Sequence, residues 1–182
     1  MNRIYTRKII LLSAIAVLLA VYILQLAVGG RNKVKVLTTE EPIDYVMIDN
    51  NGAKLSIRKN GDIWYVGDEK FPCQESRANG IVNAISEVKV LGNVAAGSAA
   101  DNERYGFDGG ITVEAYSGEK LVRSLFIGKN TATGSQSYVR IDGKSPVCLV
   151  QGALRSTFEA TAEDIKEKKT EPEPSEEEAP VL

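Results

Sequence analysis

One apolar run near the start constrains this chain more than anything that follows it. From Ile9 to Val28 the residues read IILLSAIAVLLAVYILQLAV, twenty positions with no charge and only Ser13 and Gln25 strongly polar. As a helix rising about 1.5 Å per residue the run spans about 30 Å, the hydrocarbon thickness of a bilayer. The expectation is a single-pass transmembrane helix over 9–28. A secretory signal shares the basic start (Arg3, Arg7, Lys8) but has an apolar core of only roughly 7–15 residues. Ala27-Val28-Gly29 offers the small outer residues of a cleavage site, and no Cys follows the run to accept a lipid. Length therefore selects an uncleaved signal anchor. Ala16 and Ala20 are spaced for a close helix contact, although alanine as filler in a lipid-facing helix is the simpler and preferred explanation.

Charge sets the orientation. Three basic residues precede the run and three follow it (Arg31, Lys33, Lys35), a tie. A short basic tail is retained inside, whereas long domains translocate largely regardless of charge. The expected localisation is a bacterial cytoplasmic membrane, with the N-terminus cytoplasmic and the C-terminal domain extracytoplasmic. The corresponding segments are a basic tail (1–8), the anchor (9–28), a polar stalk (29–42), an α+β domain (43–158) and an acidic disordered tail (159–182). That tail carries nine acidic and three basic residues, with Pro172, Pro174 and Pro180. Such a composition buries too little apolar surface to offset its chain entropy, although its first part, Glu159 to Lys169, could continue a helix begun near Leu154.

Residues 31–158 hold sixteen Lys/Arg and fifteen Asp/Glu. This near-neutral balance argues against nucleic acid, whose binding needs a clustered basic excess. The length suits one domain with a real core. Histidine is absent from the chain, which excludes Ser-His-Asp and Cys-His catalysis and any His-ligated metal. The two cysteines, Cys73 and Cys148, admit two readings. Outside the cytoplasm they could be oxidised to a bridge, or both could be small buried hydrophobes. The apolar strand Val147-Cys148-Leu149-Val150 around Cys148 favours the second.

Periodicity organises the domain. Ile43–Ile48, Lys54–Arg58 and Ile63–Val66 read as strands joined by Asn50-Asn51-Gly52 and Asn60-Gly61, both tight-hairpin signals. A helix is expected over Glu75–Val88, because Ala78, Ile81, Val82, Ile85 and Val88 share one face and Glu75 complements the dipole at its start. Lys89-Val90-Leu91 reads as either a strand or a helix exit, and 95–110 as irregular loop. Ile111–Tyr116, Leu121–Ile127, Ser137–Ile141 and Pro146–Val150 complete the strands. The expected fold class is α+β: one transmembrane helix, then a small domain of about seven mostly antiparallel strands with one main amphipathic helix.

Each candidate chemical motif fails a specific test. Asp101-x-Glu103-x-Tyr105 lacks the calcium-loop ligands at positions 5 and 12, which are Tyr105 and Thr112. Gly128-Lys129-Asn130 has Arg123 where a phosphate loop needs Gly and Asn130 where it needs Ser or Thr. Asp44, Asp62, Asp108 and Glu114 are carboxylates of the type that hydrolyses glycosides, but nothing marks two as facing each other. No flanking motif supports a Ser–Lys dyad. Alternation along a strand leaves at most one of Trp64 and Tyr65 free to stack on a ligand, with Trp64 the core residue. No catalytic, cofactor-binding or metal residue is singled out, and no cofactor is expected.

An ordered set of short signatures resembles a bacterial family known only as domain of unknown function 4340 (DUF4340). They are Gly61-Asp62-Ile63-Trp64-Tyr65-Val66, Phe71-Pro72-Cys73-Gln74, Tyr105-Gly106-Phe107-Asp108, Leu125-Phe126-Ile127-Gly128, and Tyr138-Val139-Arg140 with Val147-Cys148-Leu149-Val150. Cys73-Gln74 departs from the family's acidic helix start, and Gly109 replaces its usual proline. The resemblance implies a membrane-anchored protein that accompanies ABC-transporter subunits of the kind linked to gliding motility. It carries no catalytic residues over.

The function expected is a membrane-anchored extracytoplasmic binding or assembly module, not an enzyme, held by Ile9 to Val28 and contacting a protein partner in the envelope or an ABC transporter. The alternatives are an envelope hydrolase using paired carboxylates, or a passive scaffold whose acidic tail recruits partners.

Overall fold

Two-residue turns reverse a chain without room for a crossover, so the strands they join must pair antiparallel. A computed structural model describes residues 2–29 and 34–167. Its elements are α1 (Asn2–Gly29), β1 (Lys35–Thr38), β2 (Tyr45–Asn50), β3 (Ala53–Asn60), β4 (Ile63–Val66), β5 (Phe71–Pro72), α2 (Glu75–Ser86), β6 (Glu87–Ala95), α3 (Ala100–Tyr105), β7 (Ile111–Ser117), β8 (Lys120–Asn130), β9 (Gln136–Ile141), β10 (Val147–Gln151), α4 (Leu154–Phe158) and α5 (Ala162–Ile165). The ten strands form one sheet in the order β1-β6-β10-β9-β8-β7-β2-β3-β4-β5, antiparallel throughout. The β2–β3 turn needs its residues: Asn51 and Gly52 sit at φ 51° and 89°, the positive values that match such a turn to the sheet's twist. Asp49 Oδ1 accepts the Gly52 N–H at 2.8 Å.

Alternation decides which side chains face the core. Val46 and Ile48, Ile57, Trp64 and Val66, Ile111, Val113 and Ala115, Leu125 and Ile127, Val139 and Ile141 all point to one face and are buried. Over them α2 lays Ala78, Ile81 and Ile85, α4 lays Leu154 and Phe158, and α5 adds Ile165, in one continuous cluster. Each such aliphatic or aromatic side chain stabilises the fold by roughly 1.5–3 kcal/mol through burial.

The α+β class and antiparallel sheet are as expected, but the strand count is ten rather than about seven. The three additional strands have weak local signals. β1 falls inside the expected stalk; it points only Leu37 at the core and pairs with β6 on one side alone. β5 has two residues. β6 follows α2 with no turn residue between them, and register shifts against β10 break its alternation. For the same reason the helix stops at Ser86, and Val88 is buried as a strand residue. Asp101 to Tyr105, read as loop, belong to α3.

The far end of the chain is better packed than its composition suggests. Thr161 and Asp164 form a capping box at the start of α5, Ile165 is fully buried, and the Gln74 N–H donates to Ile165 O at 2.8 Å. These residues fall in the stretch expected as tail; its remainder, 168–182, lies outside the described residues, as do Arg31 and Lys33.

α1 covers the whole of Ile9–Val28 as helix. Its side-chain surroundings are described from Leu11 to Gln25. There Leu12, Val17, Leu18, Ile23 and Leu24 are all more than 60% exposed, so apolar surface faces outward around the helix. Among the described residues no helix is long and apolar enough to cross a membrane.

Candidate functional site: the uncovered sheet face

Residues that alternate away from the core form the second face, and its two halves differ. On β7, β2, β3 and β4, register places Tyr116 opposite Tyr45, Tyr45 opposite Arg58, and Arg58 opposite Tyr65, with Pro72 of β5 opposite Tyr65. The result is a continuous cross-strand row. The Arg58 guanidinium lies 4.5 Å from the Tyr45 ring centroid, within cation–π range. Tyr45 and Tyr116 are 5.7 Å apart, tilted. The Tyr116 hydroxyl donates to Glu114 Oε2 at 2.6 Å. That bond, then burial, pushes the phenol up to about 12, because a donor to a carboxylate holds its proton.

Tyr45, Arg58 and Tyr65 of this row floor an open concavity of about 600 Å³ walled by Ser56, Lys59, Asn60, Gly67, Asp68 and Lys70. Arg58, Lys59 and Lys70 are exposed, and among the described residues none of them forms an ion pair. Asp68 is the single acid in the lining. Two half-buried tyrosines and three uncompensated cations make a surface suited to an extended anionic ligand.

The other half of this face is closed. α3 and the segment after it pack Tyr105 on Tyr138 at 4.7 Å and Phe107 near Phe126 at 5.3 Å. Arg140 stacks 4.5 Å over Phe107 and donates to Asn102 Oδ1 at 2.7 Å. With Val147 these form a second buried cluster. Asp101 holds the start of α3, accepting from Ser98 Oγ at 2.8 Å and from the Ser98 and Gly97 N–H groups at 2.6 and 3.1 Å. The Ser98 hydroxyl first, then its N–H, keep this carboxyl below its usual range. At Gly128 a Cβ would stand 2.3 Å from Tyr105 O, so only glycine lets the two segments touch. The calcium-like and phosphate-like segments are thus parts of one packed knot.

The sequence-level carboxylates do not converge. Asp44 Oδ2 accepts the Gly118 N–H at 2.8 Å, and Glu114 is held by Tyr116. Asp62 lies in the β3–β4 turn and Asp108 between α3 and β7. No two of the four are register partners. Among the described residues no three His, Cys, Asp or Glu side chains group as metal ligands. Both cysteines are free, Cys73 buried and Cys148 half-buried. Burial pushes the Cys73 thiol up to about 11. Trp64 is in the core while Tyr65 turns outward into the concavity, as alternation requires.

The cross-strand row escaped sequence reading, although part of it was within reach. A turn centred on Asn51-Gly52 fixes Tyr45 opposite Arg58, and one centred on Gly61-Asp62 fixes Arg58 opposite Tyr65. Pairing with Tyr116, more than sixty positions away, had no local signal.

The family signatures have structural roles in this arrangement. Gly61 turns β3 into β4, and Trp64 and Val66 enter the core. Tyr105, Phe107, Gly128, Tyr138 and Arg140 meet in the knot. A family model described as Domain of unknown function (DUF4340) matches residues 64–177. The chain belongs to this family. The DUF4340 match includes the closed knot, α2 and both cysteines, and begins at Trp64, so Tyr45 and Arg58 lie before it. No curated protein and no solved structure matches the chain.

Proposed function

We propose that the chain is a membrane-anchored binding module, held by α1 and gripping an envelope partner with the uncovered row Tyr116-Tyr45-Arg58-Tyr65. The observation that carries this reading is the asymmetry of the sheet. Helices cover one face and a knot closes half of the other, and the remaining half presents aromatic rings and cations that have no ion pair among the described residues. An all-round apolar helix is at home in lipid, which supports an anchor at Ile9–Val28, with the domain on the extracytoplasmic side. A transporter subunit in the same membrane fits as partner, because the anchor restricts encounters to proteins near that surface. The hydroxyl–carboxylate pair at the end of the row, Tyr116 with Glu114, holds its proton rather than releasing it, which favours gripping over turnover.

The test is co-purification of the full chain from native membranes in mild detergent. A partner recovered in stoichiometric amount supports the reading. Recovery of the chain alone contradicts it, as does a C-terminal reporter that proves cytosolic.

A further inference from the structure

We infer that the β1 end of the sheet's second face, a strip formed by Val34, Val36, Leu91 and Leu149, rests on the lipid headgroup surface of the membrane that α1 enters. The inference goes beyond the binding-face reading and rests on the anchor reading of α1 alone.

Alternation defines the strip. Leu37 packs against the core, so Val36 and Val34, at odd spacing from it, point the other way. They are 49% and 54% exposed. On β6, Lys89 is opposite Val36, and Leu91 follows the buried Val90. On β10, Leu149 lies opposite Tyr138, whose ring joins the knot and so marks the same face. Among the described residues, none of the four is packed against either buried cluster. The knot therefore stops short of this edge and leaves aliphatic side chains on three neighbouring strands, β1, β6 and β10. Aliphatic side chains grouped at a surface mark a site of interaction.

The covalent chain says what covers them. α1 ends at Gly29, and Val34 is five residues further on. Fully extended, five residues reach at most about 18 Å. With Ile9–Val28 in the hydrocarbon core, Val34 stays within that distance of the core's edge, and the headgroup layer fills about 5–7 Å of it. The anchor already holds the strip at the surface, so little association entropy remains to be overcome and a small apolar contact suffices. Lys35, between the two valines, is exposed and has no ion pair among the described residues. A lysine at the rim of an apolar surface suits phosphate headgroups.

Curvature keeps the concavity clear of the same surface. β5 and β6 are eight strand steps apart in the sheet, about 38 Å if it were flat. Yet α2, 12 residues long, joins them, and it spans only about 18 Å. The sheet curls round α2, so its outer face turns between the strip and the row Tyr45-Arg58-Tyr65. Lipid at one end leaves the other open.

Photocrosslinking of the full chain in native membranes tests this. p-Benzoylphenylalanine is placed, one site at a time, at Val36, at Ile63 and at Val21. Ile63 is a β4 residue of matching exposure, 51%, and Val21 lies on α1. Irradiation joins the benzophenone to a neighbouring C–H bond, and peptide mass spectrometry tells lipid from protein. Lipid adducts are expected at the Val21 and Val36 sites, several-fold above those at the Ile63 site. Val34→Asp, at an exposed position, should lower the yield at the Val36 site several-fold and leave that at the Val21 site unchanged. Three results would overturn the inference while the anchor stands: lipid at the Val21 site with none at the Val36 site, equal lipid at the Val36 and Ile63 sites, or a second copy or other protein captured at the Val36 site. Absence of lipid at the Val21 site would remove the anchor, and the inference with it.

Discussion

The two faces of the sheet are built from the same strands and differ in what they leave unfinished. On the covered face Val46, Ile57, Val66, Val113 and Leu125 are each fully buried, beneath three helices. On the other face the neighbouring residues Tyr45, Arg58, Tyr65 and Glu114 stay half-buried or exposed. The difference teaches that this domain commits one face to stability and leaves half of the other uncovered. The signatures that mark the family lie mostly in the packed parts, so they report the scaffold more than the uncovered surface.

The contrast can be broken most directly by large changes on the covered face. Ile57→Ala should cost about 2–5 kcal/mol, since it opens a cavity beneath the helices; thermal unfolding of the full chain in detergent measures this, and a change below about 1 kcal/mol would deny that face its role. A buried hydroxyl ranks next. Ser137 Oγ accepts the Leu154 N–H at 2.8 Å and also reaches Gly152 O at 2.8 Å, so it ties α4 to β9. Ser137→Ala leaves a buried donor unpaired and should cost about 1–3 kcal/mol; the same melts check it, with protection of the Leu154 amide against hydrogen exchange lost as well. On the uncovered face Lys70→Ala should move stability by no more than about 0.5 kcal/mol, yet weaken partner recovery.

The smallest effect is chemical. The fold favours the protonated Cys73 thiol, raised to about 11 by burial. Its contribution is therefore complete below the unfolded thiol's pKa of about 8.5 and is lost as pH rises towards 11. Iodoacetamide at pH 8 should modify Cys148, which is half-buried, faster than Cys73. The reverse order would mean that the covered face opens in solution.

Much of the covered face was legible because burial leaves a periodic trace. Ala78, Ile81 and Ile85 on one helical stripe, and Ile111, Val113 and Ala115 in alternation, announce their neighbours. The uncovered face leaves no such trace. Tyr45, Arg58 and Tyr65 are ordinary outward strand residues until register aligns them, and Tyr116 joins only through pairing of β2 with β7. β1 was hidden, and β6 left open between strand and helix exit at Lys89-Val90-Leu91, for a different reason: an edge strand with one inward residue and a strand with register shifts both lack clean alternation. Ile165 sat inside an acidic stretch whose average charge masked one anchoring side chain.

The measurement that tests the two-face account most directly is a paired comparison of Arg58→Glu with the unaltered chain, reading melting temperature and co-purified partner in the same preparation. The account predicts an unchanged melting temperature and loss of the partner. A partner retained at full yield, or a melting temperature that falls as far as in Ile57→Ala, would contradict it.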